Sequence, residues 1–506
     1  MPYQFRGFGA RGRVVFSPNQ AVWQANQPTI TEVVFSSGES NPTVEVSANT
    51  DSILQVTLAS NLVGNIIIEG ESFEIMDNSG TVVFASGKPE EYTFSGVNDF
   101  TIVSGAITEN EYQVIYLGTG SIKYQVRPSR FKWSPPPPPS DLLFTKTSTG
   151  ERHSMGIMAD GTLWTWGNNS FGQLGIGDPS IYTESLVPVQ IGSDTDWADV
   201  ECGQLFTMAR KTDGTVWTWG RNSRNQLGRS TTSIPEYIPG SINSTSYSMI
   251  AAGRESCAAI RSSDNSLWTW GGNLGGQLGL GFTSSSVSTP TQVASGNTSW
   301  TYISMGRDST HGIGTNGHLY GCGWRQNGKV GDGSSASNAR TTFVQIATGP
   351  WDSVHSGLDH SLAIKGDGTF WAWGTNNFGQ LGLNTADFNK TVPTQNTDLV
   401  GTVSNVIIGH NQSHVVLDDG TLWGCGRNFY GELGNNSATA GTNNDTIAFV
   451  QIGSDTDWVG SNGGCHAAHI LIRKTDDTVY YAGRNDYGQL GIGSKGTNVF
   501  VLTLLS

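Results

Sequence analysis

The most regular feature of the chain is an alternation of apolar and polar positions that returns seven times between residues 160 and 483. Each copy opens with Asp-Gly or a related pair and ends on a glycine, as in DGTLWTWG at 160–167 and DGTFWAWG at 367–374. Asp-Gly before alternating apolar residues predicts a tight hairpin that leads into a strand. The closing glycines are Gly167, Gly220, Gly271, Gly323, Gly374, Gly426 and Gly483. Their spacing of 51 to 57 residues predicts a seven-bladed β-propeller with one repeat per blade.

A second landmark keeps a fixed offset from the first. Seven residues after each closing glycine, a branched apolar residue precedes another glycine, in short sequences such as GQLG, GKVG and GELG. Two short apolar segments precede each hairpin, and a further one, such as VPVQIG at 187–192, follows the GQLG turn. We therefore predict an all-β fold class, with four antiparallel strands in each blade over residues 141–506. The tryptophans recur mostly in the third strand and at the start of the first, which favours packing between blades over sugar-stacking platforms.

The boundary before the repeats is marked by a run of prolines. Residues 135–139 are all proline, so residues 133–140 are predicted to form a semi-rigid polyproline linker. Residues 1–132 have no repeat, and their β-branched alternation predicts a separate, smaller β-sandwich-like domain that serves as an anchor. Three arginines lie among glycines near the start, and they indicate either an anchoring arm that orders on docking or a frayed terminus. They are Arg6, Arg11 and Arg13.

Composition narrows the possible partners. The net charge of −14 argues against binding to nucleic acid or to an anionic membrane through the bulk field. The chain has no run of eighteen apolar residues, which predicts no membrane insertion, and its first residues lack a signal-peptide core. No CxxC pair occurs among the five cysteines. Cys322 and Cys425 replace the second tryptophan of the third strand, so we predict that they are small core residues.

At this point the repeated residues resemble a known family. The combination of DGxLWxWG, NxxGQLG and PxxV closely resembles the RCC1 repeat, and the resemblance covers residues 141–506. It implies a closed ring of seven blades with a central funnel. Propellers of this family serve as nucleotide-exchange factors, photoreceptors, enzyme inhibitors and binding scaffolds, so the resemblance implies no single activity. The GWRHT motif of the photoreceptors has no counterpart here, and the spacings leave no room for the inserted wedge of the exchange factors.

The histidines were considered as candidate metal ligands. His410 and His414 form HNQSH, and His466 and His469 form HAAH, but neither motif contains the HExxH glutamate of a zinc hydrolase. We place His153, His360 and His466 in equivalent slots after the first strand, which favours hydrogen bonds near the funnel mouth over metal ligation. The chain also has no GxSxG elbow and no fixed acid pair. The prediction is therefore no metal, no cofactor and no enzymatic activity.

One face of the predicted ring gathers polar turns and variable loops. In a four-stranded meander, the turn between strands one and two lies on the same face as the connection between strands three and four. A rigid scaffold with variable loops is a common way to build a binding surface, although the loops could also be only solvated connectors. The candidate binding residues on this face are Arg152, Gln204, Arg254, Arg307, Asp359, His410, Asn435 and Asn444. Their polar character favours a glycan or a protein surface as the partner.

The amino-acid composition of the whole chain suggests where the protein is located. Its lysine-poor composition, rich in Gly, Asn, Ser and Thr, resembles that of RCC1-repeat virion proteins of tailed bacteriophages. That resemblance implies a non-enzymatic appendage or decoration protein of the capsid or tail, made in the host cytoplasm and located in the virion. The N-terminal domain would then bind other virion proteins, and the propeller loops would contact a host surface protein or glycan. The alternative hypothesis is a cellular RCC1-like regulator, an exchange factor or enzyme inhibitor, that acts by protein–protein binding.

Overall fold

The protein is described by a computed structural model that covers residues 142–505, apart from 178–182, 230–234, 295–298, 386, 438–443 and 462, together with the backbone of twelve strands that precede them. The chain divides into two compact units, Met1–Pro137 and Pro138–Ser506. The division falls within the run of prolines. No helix in the described part of the chain is long and apolar enough to cross a lipid bilayer.

The first unit contains strands β1 to β12. They are β1 Gln4–Phe8, β2 Arg13–Phe16, β3 Thr31–Phe35, β4 Thr43–Ser47, β5 Leu54–Ala59, β6 Val63–Glu69, β7 Phe73–Asp77, β8 Val82–Ser86, β9 Glu90–Ser95, β10 Phe100–Val103, β11 Tyr112–Tyr116 and β12 Ser121–Pro128. One sheet has the order β1-β4-β6-β9 and the other β2-β3-β5-β12-β11-β10-β7-β8. Arg6 lies in β1 and Arg13 begins β2, while Arg11 lies outside the described residues. The sandwich and the anchoring arm stay predictions.

The second unit is the predicted all-β, seven-bladed propeller, in which each blade is a separate antiparallel sheet whose strands follow in chain order. Blade 1 has β13 Phe144–Thr149, β14 His153–Met158, β15 Leu163–Asn168 and β16 Glu184–Gln190; blade 2 has β17 Trp197–Cys202, β18 Phe206–Lys211, β19 Val216–Gly220 and β20 Glu236–Ser241; blade 3 has β21 Tyr247–Ala252, β22 Ser256–Arg261, β23 Leu267–Asn273 and β24 Ser284–Gln292; blade 4 has β25 Trp300–Met305, β26 Ser309–Gly314, β27 Leu319–Trp324 and β28 Ala339–Ala347.

The remaining blades follow the same plan until the last. Blade 5 has β29 Trp351–Ser356, β30 His360–Lys365, β31 Phe370–Thr375 and β32 Asn389–Gln395; blade 6 has β33 Val403–Ile408, β34 Gln412–Leu417, β35 Leu422–Gly426 and β36 Thr446–Gln451; blade 7 has β37 His469–Arg473, β38 Val479–Gly483 and β39 Val499–Leu504. A short 3-10 turn, Gln326–Gly328, lies in blade 4.

Blade 7 departs from the predicted four strands. Its sheet contains only β37, β38 and β39 among the described residues, so the prediction is wrong for this blade. The segment that should supply the innermost strand makes one isolated bridge, between Trp458 and Lys474. It carries Gly460, Gly463 and Gly464 within a few residues. Glycine weakens a strand interior because it loses more backbone entropy and offers no side chain to pack.

In five of the seven repeats, the hairpin is fixed by a short relay of hydrogen bonds. In blade 1, Asp160 Oδ1 accepts bonds from the Thr162 backbone N–H at 3.0 Å and from its hydroxyl at 2.6 Å. The same hydroxyl accepts the Trp164 indole N–H at 2.8 Å. Gly161 has a φ of 80°, a conformation that costs glycine little. The Asp-Gly pair therefore sets the register of the third strand, as the sequence predicted.

Neighbouring blades are joined at one repeated acceptor, the backbone carbonyl of the GQLG glutamine. The Gln173 carbonyl accepts the Trp219 indole N–H at 3.0 Å and the Thr207 hydroxyl at 2.9 Å, both from the next blade. Trp219 is fully buried. The indole therefore fills the space between blades and also satisfies a buried carbonyl, which would otherwise lose hydration on folding. The predicted packing role of this tryptophan is confirmed.

The side chains of the two cysteines that replace this tryptophan point toward the equivalent glutamine carbonyl of the preceding blade. Cys322 Sγ lies 3.5 Å from the Gln277 carbonyl, and Cys425 Sγ lies 3.7 Å from the Gln380 carbonyl. Both thiols are fully buried, so their prediction as core residues is confirmed. The missing volume is supplied by aromatic rings from the fourth strands, Phe343 in blade 4 and Phe449 in blade 6.

The ring closes between blades 7 and 1 by the same kind of contact and without a shared strand. The Gln489 carbonyl of blade 7 accepts the Trp166 indole N–H at 2.9 Å and the Ser154 hydroxyl at 2.8 Å. One isolated bridge joins Leu143 to Thr478. Each described strand of these two blades belongs to its own sheet. Closure therefore depends on side-chain packing and a few backbone bonds.

A duplicated octapeptide builds a lysine cage beside two of the blades. QIGSDTDW occurs at 190–197 and again at 451–458. In the first copy, Lys211 Nζ lies 2.5 Å from Asp194 and 3.0 Å from Asp196, and 5.0 and 5.2 Å from the ring centroids of Trp197 and Trp217. Burial opposes the charge of Lys211, but the hydrogen bonds that its ammonium donates to the two carboxylates outweigh this effect and raise its pKa.

We expect Lys211→Met to lower the free energy of unfolding by about 1–3 kcal/mol, because it leaves two neighbouring carboxylates without their cation. Chemical denaturation at neutral pH measures the change. The matched control is Lys495→Met, which removes a more exposed ion pair with Glu184 and should cost less than about 1 kcal/mol. Equal losses in the two variants would show that the cage adds nothing beyond an ordinary surface pair.

Candidate functional site

The funnel mouth is built by the turns that join the first and second strands of successive blades. The Glu151 N–H donates to the Gln204 carbonyl at 3.2 Å, and the Gln204 N–H donates to the Arg254 carbonyl at 3.3 Å. Each turn thus holds the next one around the rim. The glycine before the turn is required by this close approach, since a Cβ on Gly306 would lie 2.5 Å from the Gly357 carbonyl oxygen. The side chains that follow these glycines are therefore directed by a rigid backbone.

A cavity of about 340 Å³ opens at this mouth. Its lining comes from the turn before the second strand in all seven blades and from residues just beyond the third strands of two blades. The lining residues are Glu151, Gln204, Arg254, Arg307, Leu358, His410, Arg427, Tyr430, His466, Ala468 and Arg484. They include four guanidinium groups and one carboxylate, in a chain whose net charge is −14. The cavity is therefore a basic site in an acidic protein.

The structure brings most of the predicted binding residues together. Gln204, Arg254, Arg307 and His410 line the cavity. The other two turn residues lie beside it: Arg152 Nε donates to Glu151 Oε1 at 3.1 Å, and Asp359 contacts Arg307 Nη2 at 3.0 Å. The prediction that these turns share one face is therefore supported by their geometry. Their role in binding remains a proposal.

The two asparagines predicted from the long loop are not part of the cavity lining. Asn435 Oδ1 accepts bonds from Asn428 Nδ2 and from the Ser437 backbone N–H, each at 3.1 Å. Its side chain is thus engaged within its own loop. Asn444 directly follows residues 438–443, which lie outside the described part of the chain. The binding role of these two residues stays a prediction.

Sequence reasoning missed Arg427 and Arg484. Each directly follows a closing glycine, Gly426 or Gly483, so the same repeat that located the third strands contained the signal. Their guanidinium carbons lie 5.2 and 5.1 Å from the centroid of the Tyr430 ring. Cation–π contacts hold the planar groups without neutralising them. Arg484 also pairs with Asp486 at 2.6 Å, whereas Arg427 lies 3.9 Å from Glu432, so the charge of Arg484 is largely balanced and that of Arg427 less so.

The rim charges form two separate networks. In the first, Glu151 Oε2 accepts a bond from Gln204 Nε2 at 2.6 Å, and Gln204 Oε1 accepts one from Arg254 Nε at 3.4 Å. Within the described residues, Arg254 has no carboxylate at ion-pair distance, whereas Arg307 pairs with Asp308 at 3.0 Å. The amide of Gln204 orients Arg254 but leaves its charge unpaired.

In the second network, two cations share one carboxylate. Asp359 Oδ1 lies 3.0 Å from Arg307 Nη2 and 2.5 Å from Lys329 Nζ. Lys329 is almost fully buried, in the position that glutamine occupies in the GQLG turns of most other blades. A buried ammonium needs a charged partner, so Asp359 serves first to satisfy Lys329. Its capacity to balance Arg307 is reduced accordingly.

The histidines were assigned to the wrong slot in one case. His153, His360 and His469 each begin a second strand, whereas His466 lies in the turn before it, because blade 7 has an irregular inner segment. The Nε2 atoms of the three lie 3.0, 3.0 and 2.8 Å from the hydroxyls of Thr207, Ser413 and Ser154.

These three histidines are neutral donors at blade interfaces. Each facing hydroxyl already donates to a glutamine carbonyl, so the ring nitrogen must supply the proton of the other bond. Burial lowers the pKa of His153 to about 3, and that of His360 and His469 likewise. Over the described residues, no cluster of three or more possible metal ligands occurs.

Two acids have strongly raised pKa values, and neither lies in a suitable catalytic setting. Burial raises the pKa of Glu432 to about 7, but this residue stands in the GQLG glutamine position and accepts the Tyr430 backbone N–H at 2.5 Å. Burial and the charge of Asp199 raise the pKa of Glu201, which faces a space of only about 60 Å³ deeper in the ring. Both placements are those of structural residues.

Comparisons with known proteins agree with the fold. Two family profiles described as the Regulator of chromosome condensation (RCC1) repeat match this chain, one at 160–210, 213–260, 264–312 and 367–416, the other at 144–173, 197–226 and 351–380. Among solved structures, yeast RCC1 (Prp20) bound to Kap60 has a TM-score of 0.61 at 18% identity, and it covers 72% of this chain and 85% of that one. Human WBSCR16 has a TM-score of 0.55 at 18% identity, with 68% and 87% covered.

Curated relatives differ in how much of their length is matched. The ultraviolet-B receptor UVR8 of Arabidopsis thaliana is 28% identical over 71% of this chain and 80% of its own. The mouse Regulator of chromosome condensation is 26% identical over 56% of this chain and 60% of its own. The human E3 ubiquitin-protein ligase HERC2 is 27% identical, but only 6% of that protein is covered. None of these relatives is a virion protein, so the bacteriophage appendage and its host-surface partner stay predictions.

Proposed function

We propose that this protein, whose second unit is a propeller of RCC1 repeats, is a non-enzymatic regulator that binds a protein partner at its funnel mouth. The alternative hypothesis of the sequence analysis is thus preferred to the virion appendage. The observation that carries the proposal is the cavity lined by Arg254, Arg307, Arg427 and Arg484. A concave basic site on the rigid rim of an acidic protein gives both orientation and selectivity to an encounter.

The relatives support the same class of function. The matched proteins carry names of a receptor, a regulator and a ubiquitin ligase, and each matches a part of this chain. The Prp20p structure was described together with its binding properties to Gsp1p and histones. At this level of identity the likeness concerns the fold, so the identity of the partner is not carried over.

The domain order fits a tethered binding module. In this proposal, residues 1–132 hold the protein at its site of action and residues 133–140 separate the propeller from that anchor. Five consecutive prolines favour an extended polyproline conformation of about 3.1 Å per residue.

Affinity capture with the tagged full-length chain tests the proposal. The wild type should enrich one or a few proteins from extracts of the cells that produce it, and the double variant Arg254→Glu, Arg307→Glu should lose more than about ten-fold of that enrichment, because reversing charge at a buried rim abolishes complementarity. A captured protein is then purified and its direct binding measured by calorimetry.

The matched control is Lys390→Glu, Lys495→Glu, which makes the same change in net charge at exposed positions away from the cavity. Lys390 lies in outer strand β32, and Lys495 pairs with Glu184. This control should retain the captured protein. Retention of the same protein by both variants, or its equal loss from both, would refute binding at the funnel mouth.

A further inference from the structure

We infer that the funnel mouth binds an acidic peptide segment of the partner, with its carboxylates against Arg254, Arg307, Arg427 and Arg484. This inference rests on the proposed function and specifies the chemistry of the partner at the same site. The four guanidinium groups come from four different blades. Several carboxylates spaced along one chain can reach them together, whereas a single small anion can engage only part of the set.

Arg254 is the first reason for this assignment. Its Nε atom donates to the neutral amide of Gln204 at 3.4 Å, and within the described residues no carboxylate lies at ion-pair distance from it. Nonetheless it lines the cavity. A half-buried guanidinium that is oriented by an amide but not neutralised remains ready to bind an oxyanion in a bidentate geometry.

Arg427 and Arg484 are the second reason. Arg427 lies over the rings of Phe378, Phe429 and Tyr430, with its nearest carboxylate, Glu432, at 3.9 Å. Arg484 pairs with Asp486 at 2.6 Å and lies 5.1 Å from the Tyr430 centroid. The aromatic rings fix the direction of both side chains and lower the entropy lost when a ligand binds.

His466 is the third and independent reason. It is 5% exposed, it lines the cavity, and its Nε2 atom has no hydrogen-bond partner. A buried ring nitrogen without a partner costs free energy, and an anionic ligand at this site would supply an acceptor for it. Burial is the main cause of the lowered pKa of His466, and the charges of His410, Arg254 and Arg307 add to it.

The size of the site and the charge of the rest of the chain decide between a peptide and a folded acidic surface. A volume of about 340 Å³ admits a few side chains but not a folded domain. An acidic surface brought flat against the propeller would meet a chain of net charge −14, which opposes approach. A flexible acidic segment can enter the mouth and avoid most of that repulsion.

Fluorescence anisotropy with the full-length protein and fluorescein-labelled hexaglutamate tests the inference. We expect saturable binding that weakens as salt is raised, and no binding of labelled hexaglutamine. The double variant Arg254→Gln, Arg427→Gln should weaken binding more than ten-fold. The control Arg261→Gln, Lys495→Gln, which changes exposed pairs with Asp264 and Glu184, should bind as the wild type does. Equal circular dichroism melting curves verify that all variants are folded.

Competition with inorganic phosphate distinguishes the two sources of negative charge. Phosphate should displace hexaglutamate only at concentrations more than ten-fold above those of unlabelled hexaglutamate. Displacement at equal concentration would identify a small-anion site and overturn the inference, as would absent binding or equal losses in the two variants. If the captured partner still depends on Arg254 and Arg307 while hexaglutamate fails to bind, the proposed function stands and only the acidic-segment inference falls.

Discussion

Replacing Trp270 with alanine should lower the free energy of unfolding by about 3–5 kcal/mol, the range for large aromatic residues in a packed core. Trp270 is fully buried between blades 2 and 3, and its indole N–H donates to the Gln226 carbonyl at 3.0 Å. A Cβ on Gly228 would lie within 2.8 Å of the indole Cδ1, so the surrounding backbone already fits closely around the ring. Loss of the ring leaves a cavity and removes one donor from a buried carbonyl. Urea denaturation followed by circular dichroism measures the effect.

Trp268→Ala is the matched control in the same strand. Trp268 lies on the same face of β23 at the edge of the same core cluster, is only partly buried, and donates its indole N–H to Ser266 Oγ at 2.9 Å. Its loss should cost roughly half as much, because less apolar area leaves water on folding. If the two alanine variants unfolded at the same urea concentration, the second tryptophan of the repeat would not be the element that packs neighbouring blades.

Lowering the pH from 7 to 5 should destabilise the propeller strongly. Burial lowers the pKa of His153, His360 and His469 to about 3, and that of His311, His355 and His414 to about 4, while the unfolded chain titrates near 6.5. Below 6.5 the unfolded state therefore binds more protons than the native state, so stability falls as the pH falls and is fully present above that value. Each such histidine contributes about 2 kcal/mol to the loss at pH 5.

The pH dependence of the thermal midpoint separates this effect from carboxylate titration. Five hairpin aspartates have lowered pKa values: Asp213, Asp264, Asp367, Asp419 and Asp476. That of Asp213 is reduced mainly by the hydrogen bond from the Thr215 backbone N–H, so the contribution of these aspartates is lost at still lower pH. The steep part of the curve should consequently lie between about pH 4 and 6.5. His469→Gln, which retains a donor toward Ser154, should make this slope shallower by about one proton. A flat profile down to pH 5 would contradict neutral, buried histidines at the blade interfaces.

The repeat made much of the fold predictable from sequence. The number of repeats gives the number of blades. The hairpin and the buried second tryptophan each have a fixed position within the repeat, so one copy predicts the others. Cys322 and Cys425 were predictable for the same reason, since they stand in a known slot. The turn residues Gln204, Arg254 and Arg307 were placed on the funnel face by the strand order alone.

The sequence did not predict the features of blade 7 that depart from the repeat, or the contacts between side chains of different blades. Around Gly460, Gly463 and Gly464, the described residues of blade 7 form no innermost strand, and the shifted alignment exchanged His466 with His469. The pairing of Lys329 with Asp359 joins blade 4 to blade 5, and no single repeat contains that distance. Arg427 and Arg484 had a repeat position, but their convergence on Tyr430 depends on the curvature of the ring.

The seam between Trp166 and Gln489 gives the ring a modular construction. Since the first and last blades meet through the same indole-to-carbonyl contact as blades 1 and 2, no strand has to be re-paired when the number of blades changes. Duplication or deletion of one unit of 51 to 57 residues would change the diameter of the funnel while leaving every sheet whole. The number of repeats therefore sets the width of the funnel. Recombination can change this number without new contacts between the first and last blades.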